Sequence, residues 1–112
     1  MNPPIDTSHL EKYVFGDAAL RDEILSIFIE QAAAWIARMD PSLDDDGWRH
    51  AAHTLKGAAR GVGAWSLGDI AERAETLVGS GRNGERRAAH EDLKAAANAA
   101  IGFARKIRDR AA

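Results

Sequence analysis

The stretch Asp44-Asp45-Asp46-Gly47-Trp48-Arg49-His50-Ala51-Ala52-His53-Thr54-Leu55-Lys56-Gly57-Ala58-Ala59-Arg60-Gly61-Val62-Gly63-Ala64 decides the fold. Three carboxylates stand at its head, where the positive end of a helix dipole favours anions, and Gly61 and Gly63 break it at its foot. Set at 100° per residue with His53 at zero, Trp48, Ala51, Ala52, Leu55, Ala58, Ala59 and Val62 fall within an arc of about 120° on the far side. On the opposite face Arg49, Lys56, Gly57 and Arg60 lie within about 60° of His53. The pattern predicts an amphipathic helix from the Asp44–Asp46 cap to about Arg60. Its Trp, Ala and Leu side is buried, and His53 is held out to solvent among cations.

Working outward, the same punctuation divides the rest of the chain into helices. A short one is predicted near Thr7 to Phe15, with Thr7 or Ser8 as cap and Gly16 as terminator. A long one follows Asp17, a suitable N-cap, and runs to about Asp40, where Pro41 stops it. Leu20, Ile24, Leu25, Ile27, Phe28, Ile29, Trp35, Ile36 and Met39 form its broad apolar stripe. Beyond Gly63 a fourth helix runs from about Ala64 to Val78, with Leu67, Ile70, Ala71, Ala74, Leu77 and Val78 on one face. The turn Gly79 to Gly84 closes it. A fifth extends from Glu85 to about Arg110, with Leu93, Ala96, Ala97, Ala100, Ile101, Ala104 and Ile107 inward. Composition agrees: Ala occurs 23 times against 3 Val, 3 Thr and 8 Ile. Ala loses no side-chain entropy in a helix, whereas strands favour the β-branched and aromatic types scarce here. Short links between long amphipathic helices imply antiparallel neighbours, hence an all-α, up-down four-helix bundle with a small N-terminal helix across one end. With 112 residues and no repeat or linker, residues 1–112 are read as one domain.

Several function classes drop out on composition. Lys plus Arg count 15 against 17 for Asp plus Glu, a formal charge of -2, which argues against a global field drawing the chain to nucleic acid or an anionic membrane. There is no Cys, so disulfides, thiolate metal sites and a Cys nucleophile are absent. No apolar run approaches the roughly 20 residues of a membrane span, and the polar start lacks a signal-peptide core. The chain is therefore expected to be cytoplasmic.

His53 carries the chemistry. Neutral imidazole is a competent nucleophile near neutral pH, and an incoming anionic group would be offset by the flanking cations. A carboxylate accepting from one ring nitrogen would fix the tautomer and leave the other nitrogen to attack. Glu75 is the candidate: 22 residues on, it lies roughly where the next antiparallel helix returns alongside. Gly57 is costly under a purely structural reading, because mid-helix Gly loses roughly 0.5–1 kcal/mol relative to Ala. Close approach of something to the helix surface would account for it.

The run His53-Thr54-Leu55-Lys56-Gly57-Ala58-Ala59, followed by Gly63-Ala64, Leu67 and Glu75, resembles the signature of histidine-containing phosphotransfer (HPt) domains. Phe15-Gly16-Asp17 ahead of Leu25, Phe28 and Ile29, and Trp48, Ala51 and Ala52 ahead of the motif, extend the likeness from about Ile5 to Leu77. The resemblance implies phosphorylation of His53 on Nε2, neutralisation of the phosphoryl oxygens by Lys56, clearance at Gly57, and a hydrogen bond to Glu75 near the active ring. The residue after the motif's glycine is commonly Ser in the family; Ala58 stands here, on the predicted inner face. The implied role is a relay between aspartates of response-regulator receiver domains, or from a sensor histidine kinase, hybrid kinases included. Such a protein is a phosphotransfer intermediate rather than a turnover enzyme. It has no cofactor or metal of its own, since Mg²⁺ is expected on the receiver. A non-catalytic adaptor that docks receiver or kinase domains without taking phosphate is the alternative. The chain is expected to be a monomer, and its start at Met1 favours a free-standing shuttle.

Docking is expected on the surface around His53, including Arg49 and Arg60, joined by exposed apolar residues of the first two helices such as Leu10 and Val14. Taken alone, Lys56, Arg49 and Arg60 would read as a solvated basic stripe. With the motif Lys56 is read as functional, while for Arg49 and Arg60 the solvated reading stands beside it, and the alternative for Glu75 is a solvated residue in local ion pairs. His9, His50 and His90 are read as ordinary polar residues; His50 and His53 lack the Glu-x-x-His set of a bundle metal site. Trp35, Trp48 and Trp65 are read as packing. Arg73, Arg82, Arg86 and Arg87 lie in or beside a loop opposite acidic caps and do not make a nucleic-acid site.

Overall fold

The computed structural model describes residues 3–110. Five helices follow one another: α1 (Thr7–Tyr13), α2 (Ala18–Arg38), α3 (Asp45–Val62), α4 (Trp65–Glu75) and α5 (Asn83–Arg110), with no strand among the described residues. Helix α2 packs on α3 and α5, and α4 packs on the same two, so the four long helices close into a ring. Neighbours run antiparallel. Arg60, late in α3, lies against Gly68 early in α4, whereas Trp48, early in α3, reaches Ala74 late in α4. Likewise Ser26 in α2 meets Arg108 in α5, and Ile36 meets His90. None of the described helices is long and apolar enough to cross a membrane.

The core is layered from large anchors and alanines. Trp48, Leu25, Leu55, Leu67 and Leu93 are fully buried, interleaved with Ala32, Ala52, Ala59, Ala71, Ala97 and Ala104. Small side chains let helix axes approach, and the few large ones supply most of the burial energy, about 1.5–3 kcal/mol for each Leu-sized side chain. Helix α1 closes one end of the bundle. Asp6 N–H donates to the Gly63 carbonyl at 2.9 Å, and the Trp65 indole donates to Asp6 Oδ2 at 3.0 Å.

Most boundaries follow the sequence punctuation. Asp17 caps α2 by accepting from Leu20 N–H, and Asp44 caps α3 by accepting from Gly47 N–H. Four expectations need correction. The α1 cap is Asp6, not Thr7 or Ser8; its carboxylate accepts from His9 N–H. Gly61 does not break α3, which continues to Gly63, where a left-handed residue with φ 84° ends it. Helix α4 stops at Glu75, leaving Leu77 and Val78 outside the helix. Finally, Leu20 and Ile27, assigned to the buried stripe of α2, are 39% and 47% exposed.

Candidate functional site

His53 stands on the outer face of α3, its side chain 65% exposed, while Trp48, Ala51, Ala52, Leu55, Ala59 and Val62 on the other face are buried. The antiparallel return of α4 brings Glu75, the last residue of that helix, directly to it. His53 Nδ1 lies 3.0 Å from Glu75 Oε2, and Glu75 Oε1 accepts from Lys56 Nζ at 2.7 Å. One carboxylate thus ties the histidine to the lysine three residues further along the same helix. The Lys56 hydrogen bond pulls the Glu75 carboxyl below its ordinary range; partial burial opposes this, and the His53 contact adds to the lowering. An ionised carboxylate can only accept, so the ring proton belongs on Nδ1 and Nε2 keeps its lone pair.

The predicted cations are in place, but each has a carboxylate. Lys56 pairs with Glu75, Arg49 with Asp46, and Arg60 with Glu72 at 3.0 Å and Asp69 at 3.7 Å. Arg49 is half exposed, and exposed pairs are worth only about 0–1 kcal/mol, so it can exchange its partner for an arriving anion at little cost. Asp46, Arg49, His50, His53 and Glu75 line a shallow polar recess.

A Cβ built on Gly57 meets nothing within 4 Å. No packing among the described residues asks for glycine there, so the open space faces outward. Gly61, one turn on, is equally unobstructed, and both open onto a groove bordered by Tyr13, Ile24, Ile27 and Gln31. Leu10 and Val14 do not contribute to that surface. Each is only 1% exposed, because α1 lies over the bundle end and turns its i, i+4 stripe inward. The apolar residues that do face solvent nearby in sequence are Tyr13 at 59% and Phe15 at 94% exposure. Their signal was available: Tyr13 falls between Leu10 and Val14, off the stripe that an amphipathic helix buries.

The remaining histidines have structural neighbours. His9 packs edge-on against Trp65, His50 against Trp35, and His90 Nε2 lies 3.2 Å from the Ile36 carbonyl. Sequence reasoning placed Arg86 in or beside a loop opposite acidic caps and missed its burial, at 3% exposure. Its burial depends on two loops meeting, which no local pattern encodes.

Residues 23–106 match the Hpt domain family. The crystal structure of the histidine phosphotransferase ShpA from Caulobacter crescentus aligns with a TM-score of 0.76 and 38% sequence identity, covering 96% of this chain and 92% of that one. A comparison with curated protein sequences finds no match. The chain belongs to the Hpt domain family, whose role is phosphotransfer in two-component signalling.

Proposed function

We propose that His53 is the phosphoryl carrier of a phosphorelay, loaded from the aspartyl phosphate of a receiver domain and discharged to the aspartate of another. A sensor histidine kinase is the other class of donor. The observation that carries this reading is the exposed imidazole whose Nδ1 is occupied by the ionised Glu75. In the transfer, the Nε2 lone pair forms the N–P bond as the bond from phosphorus to the aspartyl oxygen breaks, and the aspartate leaves as carboxylate. The Nδ1 proton stays on the ring. The positive charge gained by the ring faces Glu75, and Lys56 keeps that carboxylate from taking the proton. The transition state is loose, so positioning and charge neutralisation supply the catalysis. Mg²⁺ and the remaining catalytic groups are assigned to the receiver.

The docking surface is the groove beside Gly57 and Gly61, with Tyr13, Ile24 and Ile27 as its apolar edge and Arg49 beyond His53. Such a face, apolar at one side and polar around the reacting atom, suits a cytoplasmic receiver that must both bind and release. Incubation with a phosphorylated receiver and Mg²⁺ should give an acid-labile, alkali-stable phosphoprotein, and His53→Gln should abolish it. Equal labelling of His53→Gln overturns the relay. Receiver binding that survives His53→Ala, with no label on the wild type, establishes a docking adaptor instead.

A further inference from the structure

The end of the bundle opposite α1 holds a buried charge. Arg86, in the first turn of α5, is 3% exposed and uses every side of its guanidinium. Nε donates to the Leu77 carbonyl at 2.7 Å, Nη1 to the carbonyls of Leu43 at 2.8 Å and Pro41 at 3.3 Å, and Nη2 to Asp45 Oδ1 at 2.6 Å. A buried ion pair is by itself weak evidence for stability, because desolvating the two charges offsets their attraction, so the charge pairing alone is a poor account of the arginine.

Its partners give a better one. The other oxygen of Asp45 accepts from Gly79 N–H at 3.0 Å. The guanidinium stands 5.2 Å from the ring centroid of Trp48, whose indole N–H donates to the Ala74 carbonyl at 2.7 Å. Glu75 therefore sits between held points: Ala74 by Trp48, Leu77 by Arg86, and Gly79 by Asp45. Two of the three holders, Trp48 and Asp45, belong to α3, the helix that carries His53. Helix α4 ends at Glu75, and past it the chain turns on short-range bonds, Thr76 N–H to the Arg73 carbonyl at 3.2 Å and Leu77 N–H to the Ala74 carbonyl at 3.0 Å. That geometry is tighter and poorer than the helix and leaves this end prone to fray without tertiary ties.

We propose that Trp48, Asp45 and Arg86 form a clamp on the C-terminal turn of α4 that sets Glu75 opposite Nδ1 of His53. They are positioning residues that act on the imidazole tautomer through Glu75. The consequence for phosphoryl acceptance rests on the relay reading above; the consequence for the tautomer does not.

The test uses Trp48→Phe, which keeps a ring but removes the indole N–H, and Asp45→Asn, a half-exposed side chain that replaces an acceptor by an amide. Nitrogen NMR of His53, at a pH where the ring is neutral, reads the ratio of the two tautomers. Phosphoramidate, a small-molecule donor, reads phosphoryl acceptance without a partner protein. Each variant should shift the ratio toward the Nε2–H form by about two- to ten-fold, the weight of one hydrogen bond, and slow labelling by a similar factor. Asp6→Ala, at the other end of the bundle, should lower the melting temperature and leave the ratio unchanged. A wild-type ratio in Trp48→Phe and Asp45→Asn, with only stability lost, overturns the clamp. If Trp48→Phe does not fold, Asp45→Asn decides. Ratios that move while the wild type takes no label from either phosphoramidate or a phosphorylated receiver sustain the clamp and overturn the relay.

Discussion

Under the relay proposed above, the demands of stability and of transfer at Gly57 point in opposite directions. An alanine there would gain the helix propensity that glycine forgoes and would meet no atom within 4 Å. Gly57→Ala should therefore raise the melting temperature by about 2–5 °C. Gly57→Leu should also fold, because the added atoms enter solvent, yet it should abolish labelling by a phosphorylated receiver while leaving phosphoramidate labelling largely intact. Thermal melts and the two labelling assays separate these outcomes; loss of both labels would place the damage in the site rather than the approach. Glu75 supports a prediction with a sign in pH. Its carboxyl is lowered from the ordinary glutamate value of 4.5, first by Lys56 and secondarily by His53. A depressed folded-state value contributes stability that is complete above the unfolded value and disappears as pH falls through the folded one. The stability gap between wild type and Glu75→Gln, about 1–2 kcal/mol, should thus be present above pH 4.5 and close as pH falls below it. Urea unfolding across that range measures the gap, and a gap that persists in acid would sink the assignment.

At the scale of elements, the turn from α1 to α2 is the strained one. Phe15 adopts φ 54°, a left-handed conformation costly for a residue with a Cβ, and Gly16 follows at φ 73°. A 94% exposed aromatic ring recovers none of that cost by burial. Phe15→Gly should therefore stabilise the fold by about 1 kcal/mol and, if the ring extends the apolar edge begun by Tyr13, weaken receiver binding. Calorimetric titration with a receiver, set beside denaturant melts, reads both; unchanged affinity would remove Phe15 from the docking face. Elements were also where the sequence was most and least legible. Asp17, Asp44 and Gly63 announce their helix ends through side-chain caps and a left-handed stop, all local chemistry. Asp6 was missed as a cap because Thr7 and Ser8 offer the same chemistry one and two residues later, and the choice is made by Trp65 and Gly63, far along the chain. The end of α4 was placed too late because Leu77 and Val78 continue its apolar pattern. Trp48 and Arg86 hold that turn by taking the carbonyls of Ala74 and Leu77 from a distance. Leu10 and Val14 were assigned to the surface because a short helix does not reveal which of its faces meets the bundle.

For the molecule as a whole, the His53–Glu75–Lys56 constellation was readable because a short turn folds α4 straight back along α3, so sequence separation converts directly into height on the neighbour. The clamp around Arg86 was not, since it needs the loops after α2 and α4 to arrive together. The two ends of the bundle consequently carry different burdens, and one substitution can show it. Gly63 sits at φ 84°, and a Cβ on it would lie 3.0 Å from the Asp6 carbonyl oxygen and 3.2 Å from His9 Cδ2. Gly63→Ala would combine backbone strain with a collision against the strand of chain that seals α1 to the bundle, for a loss of about 1–3 kcal/mol. Because a helical bundle of this size unfolds cooperatively, that loss should appear in the melting temperature of the bundle and in hydrogen exchange throughout α3 and α4. It should not appear in the chemistry: per folded molecule, the His53 tautomer ratio and the rate of phosphoramidate labelling should match the wild type, since every holder of Glu75 lies at the other end. A shift in either would mean that strain at the α1 end travels the length of α3, and the division of labour between a sealing end and a positioning end would have to be given up.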